Sequence, residues 1–275
     1  MKSTILLILS LVLLAPTLTA AQNTPEANIR PSILNGVGID QKIGAFVPPD
    51  LVFNDEHGDA VQLSGFFGNR PIVLVLVYYQ CPMLCTMVLN DLLRTMRSMP
   101  ENIGKDFDVV TVSFDPRDTP ELALLKKKTY LAQYNRPGAE VGWHFLTGHQ
   151  ISIAALTDAV GFRYVWDPKF QVYAHASGIM VLTPGGKISR YFFGIDYAPK
   201  DLRIALTEAN QGHTGGLADA VLLYCFCYDP VTGKYGLAIS HLLKIGGVLT
   251  MLVLSGFVVT MLRRERLQAK PTARL

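Results

Sequence analysis

The run Pro71-Ile-Val-Leu-Val-Leu-Val-Tyr78 is apolar throughout and rich in β-branched residues. A strand with no polar face must be covered on both sides, so this run demands a central sheet with other elements packed above and below it. Just beyond, Leu84, Val88, Leu92 and Met96 recur one helical turn apart until Pro100 ends the pattern. That spacing predicts an amphipathic helix over residues 84–99. Cys81 falls between strand and helix and Cys85 lies at the helix start. Two thiols therefore stand side by side at a strand-to-helix junction.

The flanking chain alternates in the same way. Residues 51–53 and 60–63 bracket an Asp55-Glu-His-Gly-Asp59 turn and read as a hairpin. A second buried strand is expected over 108–114, then a helix over 119–133 opened by Thr119-Pro120-Glu121, where proline suits the first helical turn. A short helix over 151–160 follows. Residues 178–183 and 187–193 form a hairpin across Pro184-Gly185-Gly186, and a helix over 200–210 closes the domain. This order predicts an α/β fold, a thioredoxin-like sandwich with a central mixed sheet. Lys126-Lys127-Lys128 reads as a solvated helix surface.

The two ends place this domain. Lys2, the apolar residues 5–14, Pro16 and Thr19-Ala20-Ala21 form the pattern of an export signal over residues 1–21, an uncleaved anchor being the alternative. Residues 22–42 read as a linker, 43–210 as the folded domain and 211–240 as a membrane-proximal segment. Residues 245–262 carry no charge, and at ~1.5 Å per residue they reach most of a ~30 Å hydrocarbon core. His241 and Lys244 can extend the span by snorkelling, so a transmembrane helix over 241–262 is expected, with a buried soluble helix as the alternative. Arg263, Arg264 and Arg266 follow at once. The positive-inside rule then puts residues 263–275 in the cytoplasm and the domain on the periplasmic or outer face of a bacterial-type inner membrane. A formal net charge of +3 gives no case for nucleic acid as a partner.

Outside the cytoplasm thiols drift toward oxidation unless they are used, and four cysteines in 275 residues are not a disulfide scaffold. A Cys81–Cys85 bridge is possible one helical turn apart, but so small a ring constrains the unfolded chain little. Reversible oxidation and soft-metal capture both stay open. An ordinary thiol has a pKa of ~8.5, and a helix dipole contributes about 0.3–1 kcal/mol, less than one pKa unit. A soft cation makes both sulfurs anionic by displacing their protons. Two thiolates suit monovalent copper if an imidazole completes a three-coordinate set. Among His57, His144, His149, His175, His213 and His241, His175 ranks first, because Ala174-His175-Ala176-Ser177 immediately precedes the 178–183 strand. In a thioredoxin-like sandwich that point lies beside the start of the cysteine-bearing helix. The plain alternative is a polar loop residue.

Residues 51–85, Val112-Ser-Phe-Asp-Pro-Arg-Asp-Thr-Pro-Glu121, His175 through Leu182-Thr-Pro-Gly-Gly-Lys187, and Tyr191-Phe-Phe-Gly194 resemble the Sco/SenC proteins in order and spacing. The resemblance spans residues 43–210. It implies a thioredoxin-like fold and copper held by Cys81, Cys85 and His175, as copper(I) with copper(II) as a further state. It also implies Asp115 as an acidic group near the site. The implied role is maturation of cytochrome c oxidase, by delivering copper to the CuA site of subunit II or by reducing that subunit's cysteines. Thr86 stands where many relatives carry proline, the tether is C-terminal rather than N-terminal, and Cys225 and Cys227 fall outside the matched region.

The leading expectation is thus a membrane-anchored copper metallochaperone. A thiol–disulfide oxidoreductase using Cys81 and Cys85 as a redox pair is the alternative. Thioredoxin-type enzymes, however, normally place two residues between their cysteines and a cis-proline opposite them, where this chain has Ala176-Ser177. A peroxiredoxin-like peroxidase lacks its supporting Thr/Arg constellation, and a purely structural tether leaves the cysteine spacing unexplained. Cys225-Phe-Cys227 would present both thiols on one face of a strand, as a second soft-metal site, a redox partner or packing. Met83, Met87, Met96 and Met99 read as core at helical spacing, with Met83 also able to touch a transferred metal.

Overall fold

The computed structural model describes residues 32–215, 228–229, 234–235 and 237–268. The expected export signal and Cys225-Phe-Cys227 lie outside the described residues. In chain order the first elements are β1 (Gly38–Ile39), β2 (Val52–Asn54), β3 (Ala60–Gln62), β4 (Ile72–Val77), α1 (Leu84–Ser98) and β5 (Asp108–Ser113). Next come α2 (Pro120–Tyr134), β6 (Trp143–Leu146), α3 (Gln150–Ala159), β7 (Phe162–Asp167) and β8 (Val172–His175). The last are β9 (Gly178–Leu182), β10 (Ile188–Phe193), α4 (Pro199–Asn210), β11 (Tyr228–Asp229), β12 (Lys234–Tyr235) and α5 (Leu237–Gln268).

The apolar run does what its composition demands. All residues of β4 are buried, and it lies at the centre of a five-stranded sheet of order β10-β9-β4-β5-β6. β5 runs parallel to it, with Val75 opposite Thr111, and β9 antiparallel, with Val75 opposite Ile179. The sheet is therefore mixed, and the fold is the thioredoxin-like α/β sandwich. α1 lays Val88, Leu89, Leu92, Leu93 and Met96 against it. Burying such a side chain contributes about 1.5–3 kcal/mol. α2 opens at Pro120 as its sequence requires and ends at Asn135, whose φ of 51° is the left-handed conformation that stops a helix. At each edge of the sheet a neighbouring segment adds backbone hydrogen bonds at one end. Asn54 and Thr147 exchange backbone hydrogen bonds beyond β6, and residues 44–47 bond Gly186 and Ile188 on the β10 side.

Several strands were not expected from the sequence, and β7 and β8 matter most for the site. β6 continues the main sheet in parallel with β5. β7 and β8 form an antiparallel ribbon that joins β1 in a separate sheet of order β1-β7-β8. Most of the ribbon is half-buried on both faces, so it lacks the alternation that marks a strand. The end of the expected linker belongs to the domain: β1 pairs Gly38 with Arg163 and Ile39 with Phe162. Gly161, at φ 68°, lets that segment approach, since a Cβ there would lie 2.0 Å from the Asp40 carbonyl oxygen. The lysine run also differs from expectation, because Lys127 is buried and ion-paired with Glu56.

Within α5, residues Ile245–Arg264 have a mean hydropathy of 2.2, and none of this window is buried. It is a helix long and apolar enough to cross a bilayer.

Candidate metal centre

Tyr78, Tyr79 and Gln80 turn the chain from β4 into the cysteine motif, and the amide of Cys81 closes the turn on the Tyr78 carbonyl at 3.2 Å. Cys85 then lies in the first turn of α1, facing inward and buried, with Cys81 half-buried beside it. Thr86 continues the helix without interruption. His175 arrives on the last residue of β8 rather than in a loop. Its Nε2 lies 3.3 Å from the Cys85 sulfur, and the ligand atoms of Cys81, Cys85 and His175 all fall within 4.8 Å of one another. The three residues singled out in the sequence thus meet in one place. His57, His144, His149 and His213 stand elsewhere; His144, for instance, packs on Phe66 with ring centroids 4.6 Å apart.

The electrostatics divide the pair. Hydrogen bonding from Cys85, and further from His175 and the amides of Cys85 and Met83, draws the Cys81 thiol well below its ordinary range against the cost of its burial. The Cys85 amide reaches the Cys81 sulfur at 3.3 Å. Burial, and then the neighbouring Cys81 sulfur, push the Cys85 thiol up. Of the two thiols, Cys81 is therefore the readier to ionise and Cys85 the more reluctant. His175 Nδ1 donates to the Ala176 carbonyl at 2.8 Å. That bond orients the ring with Nε2 toward the sulfurs. Burial, and next the hydrogen bond with Cys81, raise the Tyr78 hydroxyl, which stays protonated at the site.

The surroundings contain residues that sequence patterns did not single out. Asp118, nearly fully buried, accepts from the Tyr79 amide and from Ser113 Oγ, each at 2.6 Å. It thereby pins the turn that delivers Cys81, and burial raises its carboxyl above the usual range. Asp115, the acidic group implied by the resemblance, is occupied by Arg117, which donates to both of its oxygens at 2.7–3.2 Å. Tyr78 and Phe114 wall the imidazole, at ring distances of 5.9 and 5.2 Å from His175. Met96 and Met99 are core, as expected, whereas Met83 and Met87 are 65% and 40% exposed.

Fold and site together define a class: thioredoxin-like proteins in which a Cys-x-x-x-Cys pair and a strand-borne histidine form one soft-donor centre. The SCO1/SenC family model matches residues 43–208, and the chain belongs to that family. Two solved structures of Aquifex aeolicus VF5 proteins, a candidate electron transfer protein and a candidate electron transport protein, are each 28% identical to it. The first has a TM-score of 0.56, covering 64% of this chain and 98% of its own. The second has a TM-score of 0.52, covering 62% and 99%. Arabidopsis thaliana ScoI, solved with copper bound, is 17% identical with a TM-score of 0.50, covers 61% of this chain and 99% of its own, and shares the fold. No curated protein matches the sequence.

Proposed function

We propose that this protein is a membrane-anchored copper(I) carrier that serves assembly of cytochrome c oxidase, delivering its cargo to the CuA site of subunit II. Membership of a family of oxidase assembly proteins supports the setting. The observation that carries the reading is the convergence of two sulfurs and one imidazole nitrogen within 4.8 Å. This donor set fits monovalent copper, which prefers soft ligands and accepts low coordination. Copper would supply the positive charge that lets both sulfurs stay anionic, displacing the proton that Cys85 holds. Cys81, Cys85 and His175 are the proposed ligands, and the cargo leaves by stepwise ligand exchange. In this reading residues 1–21 direct export, α5 crosses the inner membrane, the domain faces the periplasm or outside, and the arginine-rich tail stays in the cytoplasm.

Anaerobic copper(I) titration of the reduced, detergent-solubilised chain tests the site. One copper per chain is expected, with two sulfur scatterers and one nitrogen in X-ray absorption. Cys81→Ser or Cys85→Ser should abolish stoichiometric binding, and His175→Ala should weaken it. Unchanged copper content in all three variants overturns the assignment.

A second reading is favoured by the divided acidities of the two thiols. The Cys81 thiolate would attack a disulfide in the oxidase subunit, forming a mixed disulfide and releasing one partner thiolate, which takes up a proton. Cys85, on losing its proton, would then displace the second partner sulfur. The partner gains two electrons and a Cys81–Cys85 disulfide closes. Metal-free protein that reduces an oxidised subunit II peptide with turnover, given a thiol reductant, would favour this role; failure to do so leaves the carrier.

A further inference from the structure

The hydrogen-bonding pattern of the strands does not tie His175 to the cysteines. β8 pairs with β7 and β7 with β1, in a sheet separate from the one that carries β4. Ala176-Ser177 joins β8 to β9 of the main sheet, so the third donor depends on that short link and on how the two-stranded ribbon docks on the main body. Part of that docking is aromatic. Tyr173 lies two residues before His175 and shares its face of β8, and its ring sits 5.5 Å from Tyr78 and 5.7 Å from Phe114.

The rest comes from Arg117. Its guanidinium edge is spent on Asp115, whose side chain is 3% exposed, so the planar group is held in a fixed orientation on the β5–α2 loop. Its face is left to stack, and it lies 4.4 Å from the Trp166 ring and 5.6 Å from Tyr173. Trp166 and Tyr173 are cross-strand partners in the ribbon, with rings 4.8 Å apart. A buried carboxylate fixes a half-exposed arginine, that arginine caps Trp166 and Tyr173, and Tyr173 packs on the Tyr78 and Phe114 that wall the imidazole, in one continuous chain of contacts.

We propose that Arg117 is a positioning residue that clasps the β7–β8 ribbon to the β5–α2 loop and so holds His175 at the cysteine pair. Its consequence for the metal rests on the copper reading above; its mechanical part does not. Arginine is required because lysine, a point charge, cannot fork onto Asp115 while laying a planar face on the indole.

The test uses the reduced, metal-free full chain in detergent. Cation–π contacts at exposed sites are worth about 2–5-fold in an equilibrium. Amide hydrogen exchange over residues 172–175 should therefore accelerate roughly 2–5-fold in Arg117→Ala and Trp166→Ala, with β5 unchanged. Trp166→Phe should retain protection and Arg117→Lys should not restore it. With copper(I), Arg117→Ala should lower affinity by a similar factor and reduce nitrogen occupancy in X-ray absorption, yet add nothing to His175→Ala. Unchanged exchange over 172–175, equal acceleration in β5, or a full additional loss in the His175→Ala background overturns the clasp. A wild-type chain that binds no copper overturns the carrier role instead, while the exchange result still judges the clasp.

Discussion

Cys81 precedes α1 and Cys85 lies in its first turn, and their environments differ. Cys81 is half-exposed with amides aimed at its sulfur, whereas Cys85 is sealed beneath Tyr78 and His175. With the Cys81 pKa lowered, its thiolate should persist as pH falls below the ordinary ~8.5. With the Cys85 pKa raised, that thiol should stay protonated as pH climbs past the same value. Iodoacetamide labelling of the reduced, metal-free chain, followed by mass spectrometry, should find Cys81 modified at a nearly constant rate from pH 6 to 8 and Cys85 protected throughout. Asp118 gives a second outcome at this scale. Asp118→Ala leaves the buried Tyr79 amide and Ser113 hydroxyl without their acceptor, at about 2–4 kcal/mol by urea unfolding. Asp118→Asn keeps an acceptor oxygen and should cost much less. The cysteine spacing was plain in the sequence. His175 was ranked by its place before a strand and by family resemblance, because the ribbon that carries it has no periodic pattern. Asp118 and the Arg117–Trp166 stack are contacts between distant segments, and no local pattern announces them.

At the scale of elements, α1, β4, β5 and α2 lie where their patterns placed them, within a residue or two. Each has a long apolar stripe or run that burial dictates. β6 is four residues long after a turn containing Pro137-Gly138, too short to declare a period. The lysine run shows the converse limit. Lys126, Lys127 and Lys128 look alike in sequence, yet the Glu56 that pairs with Lys127 comes from the β2–β3 turn. Its other carboxylate oxygen accepts from the Phe145 amide in β6, so one buried group joins hairpin, helix and edge strand. Lys127→Ala should therefore destabilise the domain by about 3–5 kcal/mol, since it strands a buried carboxylate. Lys128→Ala, on the exposed face, should change stability by less than about 0.5 kcal/mol. Paired urea melts of the two variants check the contrast.

For the whole molecule, the apolar helix within α5 lies where the sequence predicts one, because length and apolarity alone mark such a segment. The full chain should sediment with membranes and resist carbonate extraction. A chain ended after Asn210 should appear in the soluble fraction if it folds; recovery of the truncated form in membranes would remove α5 as the anchor. The margins of the five-stranded sheet carry a final consequence. Asn54 and Thr147 occupy one border, and residues 44–47 the other. At these points the border is already hydrogen-bonded, so a visiting strand would have to stop short of them or displace them. A polypeptide laid along either border is thereby limited in length by segments of the domain itself.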